Sequence, residues 1–266
     1  MPDSPDLAFV LLLVLRMVVA AVFVVTASIV TERSGPVIAA LIATLPLSTG
    51  PVYVFLALDH DSTFIAESAL AALPVNAVTI AFCLIYAVMA QRHAMIPSFV
   101  VAMTAWLVLA TATRGVTWSL TGGLAANAVA AVVCLPLAQR YRKALMPPIR
   151  RRWYDVPLRA SLVALLVAVV VAVSGRVGPL VTGVLAIFPI VFSSLMLILH
   201  PRIGGRATAA VVANALWGLV GFGLGVAALY LGALHLGSVI GLILGLAVSV
   251  CWNLGLWAVS RRGATG

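Results

Sequence analysis

The chain has 266 residues, 64% of them hydrophobic and only 9% charged, with a mean hydropathy of +1.19. Soluble domains carry about 25% charged residues, so this composition excludes a soluble globular protein and reads as a polytopic membrane protein. The formal charge of +9 does not point to nucleic acid. Seven of the 16 basic residues sit in one hinge, at Arg140, Arg142, Lys143, Arg150, Arg151, Arg152 and Arg159, and no nucleic-acid-binding motif accompanies them.

The apolar runs are about 20 residues long, enough for a helix to cross roughly 30 Å of hydrocarbon. The short alternating segments of a β-barrel are not visible. The expected fold is all-α, with about nine spans at 8–31, 36–58, 63–90, 96–112, 117–138, 160–175, 179–200, 206–232 and 237–259. The acidic N-terminus, with Asp3 and Asp6, does not read as a cleaved signal.

In the first span Arg16 is the deepest base. It reads either as snorkelling from the membrane boundary or as a buried arginine facing an anion path. The second span carries Pro46 near its middle, followed by Ser48 and Thr49. A mid-helix proline removes a backbone hydrogen bond, and in lipid the freed carbonyl needs a partner from protein or water. Asp59, His60 and Asp61 form an acidic rim. Glu67 lies about one turn inside the third span, where an ionisable group is a candidate coupling residue, unless the span starts later and leaves it wet. Asn76 sits in the same span. The fifth span is spotted with Thr121, Gly122, Gly123 and Asn127.

The basic hinge follows, interrupted by Pro147–Pro148 and flanked by Trp153 and Tyr154, which read as interface anchors. Arg150, Arg151 and Arg152 are candidate contacts for anionic lipid headgroups. The seventh span repeats the proline signal at Pro189, followed by Ser193 and Ser194, and ends at His200, which reads as an interfacial cap. Asn214 lies in the eighth span. Gly221 and Gly225, and the ladder Gly237, Gly241 and Gly245, read as close-packing positions, within the fold or in a homodimer. Cys83, Cys134 and Cys251 lack metal spacing. No metal or cofactor motif and no nucleophile–base pair stands out, so no enzyme is expected.

The chain also matches itself. Arg16 to Pro46 aligns without a gap on Arg159 to Pro189, at an offset of 143 residues. Arg16 and Arg159, Arg33 and Arg176, Gly35–Pro36 and Gly178–Pro179, and Pro46 and Pro189 coincide. With the hinge in the cytoplasm, the positive-inside rule puts the N-terminus outside and the C-terminus inside. The two copies then run in opposite directions, residues 1–115 and 159–266, joined by a reversing helix and the hinge at 116–158.

The segment 183–218, reading GVLAIFPIVFSSLMLILHPRIGGRATAAVVANALWG, resembles the GlpM/YdgC-like small inner-membrane proteins. The likeness rests on a glycine-led span, the Phe188–Pro189 pair, the His200-to-Arg206 turn and Trp217. It implies a four-helix unit able to pair antiparallel with a second copy, and it implies architecture rather than a particular activity. The N-terminal half departs from that pattern after Pro46.

Inverted repeats with paired broken helices at midplane are a recurrent transporter architecture. The expected function is therefore a cytoplasmic-membrane transporter or channel for a small anionic or neutral polar solute. Its site would comprise Pro46, Ser48, Thr49, Pro189, Ser193 and Ser194, with Asn76 and Asn214 on the long helices of each repeat. The alternatives are a non-transporting scaffold or accessory subunit and a lipid-handling protein. Reporter fusions to the two chain ends are expected to report opposite sides of the membrane. Reporters on the same side would remove the inversion.

Overall fold

A computed structural model describes residues 7–33, 48–143, 152 and 154–262. Among these residues all regular structure is helical: α1 (Leu7–Arg33), α2 (Thr49–Asp59), α3 (Ser62–Met89), α4 (Met95–Ala112), α5 (Leu120–Gln139), α6 (Asp155–Ala186), α7 (Ile190–Ile203), α8 (Gly205–Leu236) and α9 (Ser238–Arg262). Seven of them are long and apolar enough to cross a membrane, and α2 and α7 are the two short ones. The protein is an all-α, multi-pass membrane bundle. Pro46, Gly35–Pro36, Arg150 and Arg151 lie outside the described residues.

Local chemistry sets the helix ends. The Asp61 carboxylate accepts a 2.8 Å hydrogen bond from the Phe64 amide and starts α3. Ser119 caps α5 in the same way, accepting from the Gly122 amide. Gly178 takes φ +72° inside α6, a backbone region nearly reserved for glycine, and Pro179 restarts the helix behind it. The helix is thus broken at Gly178, between the spans expected at 160–175 and 179–200, and a second interruption falls at Ile187–Pro189, inside the second of those spans. Pro189 has no amide hydrogen to donate back to Leu185, so the ladder ends there, and the Leu185 carbonyl accepts instead from the Phe188 amide at 3.0 Å.

The long helices α3 and α8 pack along one another at the centre of the bundle. The buried face of α3 is rich in alanine and that of α8 in alanine and glycine, which lets helices approach closely where lipid offers no hydrophobic drive to associate. Helices α5 and α6 pack on α3, and α1 packs on α6. Helix α4 packs on α3, and α9 on α8. The 143-residue offset extends over these elements. Ser62 and Gly205 begin α3 and α8, and Met95 and Ser238 begin α4 and α9. The cross-contacts between the halves are reciprocal, α4 with α7 and α9 with α2. Hydrogen bonds join the halves at both ends of the bundle: His60 Nε2 lies 2.8 Å from Ser174 Oγ, and Tyr86 Oη lies 2.8 Å from His200 Nδ1.

The glycine ladders behave in two ways. A Cβ at Gly225 would lie 2.7 Å from the Gly245 carbonyl oxygen, and one at Gly241 would lie 2.6 Å from the Ala233 amide nitrogen, so both are close-packing positions. Gly237 is not. It turns the chain between α8 and α9 with φ +95°, and nothing lies near it. Backbone also approaches closely at Gly183, where a Cβ would sit 2.1 Å from the Ser68 carbonyl oxygen. Gly183→Ala is expected to cost about 1–3 kcal/mol by overpacking. Gly175→Ala on the same helix has open space around it and is expected to be neutral or stabilising. Thermal melts of the two variants in detergent check this.

Candidate functional site

The starts of the two short helices meet. Helix α2 begins at Thr49, directly after Ser48, and α7 begins behind Pro189. The Thr49 hydroxyl donates a 3.2 Å hydrogen bond to the carbonyl of Ala186, the last residue of α6. A hydroxyl from one half thus satisfies a carbonyl that the break in the other half frees. Both short helices turn their N-termini, the partly positive ends, toward a cavity of about 210 Å³ between the halves. Its lining includes Ser48, Thr49, Asn76, Thr79 and Pro189, with Phe188, Phe192 and Phe222 among its apolar walls. Among the described residues no charged side chain lines it.

Asn76 is fully buried near the midpoint of α3, and a network fixes its amide. The Asn127 Nδ2 donates at 2.8 Å to the carbonyls of both Leu73 and Gly123, so its Oδ1 faces Asn76. Asn76 Nδ2 therefore donates to Asn127 Oδ1 at 2.7 Å and to the Leu219 carbonyl at 2.9 Å. Leu219 is the residue that the 143-residue offset pairs with Asn76, so the contact lies where the two halves cross. The remaining atom, Asn76 Oδ1, is buried with no partner among the described residues. Gly223 is required beside it, because a Cβ there would lie 2.9 Å from both amide side chains. Thr79 is spent: its hydroxyl donates to the Val75 carbonyl and accepts from the Trp106 indole at 3.0 Å. Trp106 in turn packs edge-on against Phe188. The Ser48 hydroxyl and Asn76 Oδ1 are thus the cavity groups with hydrogen-bonding capacity to offer.

The structure brings together Ser48, Thr49, Asn76 and Pro189 from the residues picked out in the sequence. It places the others elsewhere. Ser193 and Ser194 are buried in α7 but do not line the cavity, and Ser194 bonds the Val191 carbonyl. Asn214 is exposed, accepting from Arg142 Nε at 2.7 Å and donating to the Ala210 carbonyl. Asn214 stands one and a half turns before Leu219 and so misses the crossing. Glu67 is exposed, because the neighbouring positions 65, 66, 68 and 69 take the buried face of α3. Arg152 is exposed, bonds the Tyr154 hydroxyl at 2.6 Å, and its amide caps Asp155. Asn127 was visible only as a polar spot in the fifth span, and its network role was not signalled; nothing local in the third or eighth span marks Thr79 or Phe222.

Two ion pairs clamp the bundle. Arg16 of α1, only 8% exposed, forks onto Asp59 at the end of α2, with Nη2 to Oδ1 at 2.5 Å, and its guanidinium lies over the Phe55 ring. The carboxylate beside it accounts for its burial. At the other end of the bundle Arg202 forks onto Asp155 with both contacts at 2.6 Å. Asp59 and Arg202 are equivalent under the 143-residue offset, and Asp155 lies one turn from Arg159, the equivalent of Arg16. The two clamps thus join the same pair of elements in each half, with the charges exchanged. Donating to the Asp155 carboxylate raises the Arg202 pKa above the usual arginine range. The hydrogen bond from Arg152 lowers that of the Tyr154 phenol.

No protein-family model, no curated protein and no solved structure matches the chain. Asp155→Asn is expected to destabilise the protein by about 3 kcal/mol, because it leaves a largely buried guanidinium without its carboxylate. The double variant Asp155→Leu with Arg202→Met is expected to lose less. Detergent unfolding curves of the two variants decide it.

Proposed function

We propose that this chain is a membrane transporter or channel whose solute site is the cavity between the two short helices. One observation carries the reading. Two short helices, one from each half, direct their N-termini and the Ser48 hydroxyl at one small cavity that also holds an unspent amide oxygen. Breaking a helix inside hydrocarbon, as at Ile187–Pro189, is costly, and a protein that needed only a scaffold would gain by running it through. The lining carries hydroxyl, amide and aromatic groups and no fixed charge, which favours a neutral polar solute over a bare cation.

On this reading the bundle is an inverted repeat of a four-helix unit like that of the GlpM/YdgC-like proteins, inserted in the cytoplasmic membrane with its N-terminus outside. The common offset of α3 with α8 and of α4 with α9, and the Asn76–Leu219 contact, support it. Asp59 then faces the outside and Arg202 the inside, as the positive-inside rule asks of each. The exposed arginines of the hinge region meet anionic headgroups.

The test is hydration of the cavity. In a background with Cys83, Cys134 and Cys251 replaced, Ser48→Cys is expected to react with a water-soluble thiol reagent in intact membranes. Ser193→Cys, buried away from the cavity, is expected to react far more slowly. Equal inertness at both positions would leave the non-transporting scaffold as the better account.

A further inference from the structure

The cavity that holds Asn76 does not stand alone. A second one of about 390 Å³ adjoins it between α1, α2, α8 and α9, and Thr49 and Phe222 line both. The larger cavity is almost wholly apolar. Several of its walls belong to the exposed hydrophobic surface of the bundle, including Phe23 at 48% and Ile243 at 61%. In a membrane-spanning chain that surface meets acyl chains, so this cavity opens sideways to lipid. It holds one further unspent polar group. Tyr53, one turn along α2 from Thr49, is 2% exposed and its hydroxyl has no partner among the described residues.

We propose that the two cavities form one site for a neutral single-chain amphiphile that enters from the bilayer. The inference rests on the reading of the inner cavity as a solute site and names its substrate class. The chain of the ligand lies in the larger cavity, where each buried methylene contributes about 0.8 kcal/mol. The head passes Phe222 and reaches the inner cavity. The groups waiting there dictate its chemistry. Asn76 Oδ1 can only accept, so the head must carry an N–H or O–H donor. The Ser48 hydroxyl there, and the Tyr53 hydroxyl in the larger cavity one turn along α2, can donate to it, so the head must also accept. A hydroxyl or a primary carboxamide has both capacities. An ionised head does not fit, because no lining side chain carries a charge to offset its desolvation.

The experiment uses the full-length protein in phosphatidylcholine vesicles and a dodecanamide bearing a mid-chain diazirine. Crosslinks are expected to concentrate on Val226, Leu229 and Leu246. Unlabelled dodecanamide is expected to compete and dodecyl phosphate is not. Asn76→Leu is expected to weaken competition about tenfold, the effect of one lost buried hydrogen bond. Should that variant fail to fold, the milder Tyr53→Phe is expected to weaken it by several-fold on the same ground. Crosslinks spread equally over Ile96 and Leu107 of α4, or equal competition by dodecyl phosphate, would overturn the proposal. Reactivity of Ser48→Cys to aqueous reagent without focused crosslinking overturns the lateral entrance alone and leaves a transporter of water-borne solute. Focused crosslinking with an inert Ser48→Cys supports the amphiphile site and removes transport.

Discussion

Backbone polar groups inside hydrocarbon must find partners within the protein, and at the centre of this bundle that requirement decides which elements touch. Helix α6 ends at Ala186 because Pro189 lies ahead, and the Ala186 carbonyl is left without its helical donor. The Thr49 hydroxyl supplies a hydrogen bond from the opposite half. For that hydroxyl to arrive, α2 has to begin beside the break, which brings the two short helices face to face. The cavity between them is the space two half-helices leave when their termini meet rather than pass.

The same accounting explains the place of α5. A lone asparagine in the middle of α3 would present an amide with two donor hydrogens and one oxygen to a nearly apolar interior. Asn127 takes one hydrogen and the Leu219 carbonyl takes the other, while two backbone carbonyls hold Asn127 itself. The helix between the two halves therefore does more than connect them. It orients the one amide that faces the cavity, and Gly223 keeps the room for it.

The ion pairs act at a different level. Each ties the first helix of a half to the end of that half's short helix, so the short helices, which have little packing area of their own, are anchored at their far ends. The base is on the long helix in one clamp and on the short helix in the other. An exchange of charge keeps each clamp intact while placing Asp59 at one end of the bundle and Arg202 at the other.

The sequence by itself determined that the chain is a helical membrane bundle, because length and apolarity of a run are local properties and 64% hydrophobic content leaves few other outcomes. It also pointed to proline-marked breaks, since proline cannot complete a helix ladder whatever surrounds it. Pro189, Ser48, Thr49 and Asn76 were legible on those grounds. What only the tertiary structure decided is which polar groups share a space. Ser193 and Asn214 carry the same local signals as Ser48 and Asn76, yet the rotation of α7 and the crossing point of α8 turn them elsewhere. Glu67 is outside because its neighbours claim the packed face of α3. Arg16 is inside because Asp59, distant in sequence, comes to meet it. Partner choice across helices depends on rotation and crossing geometry, and no local pattern encodes those.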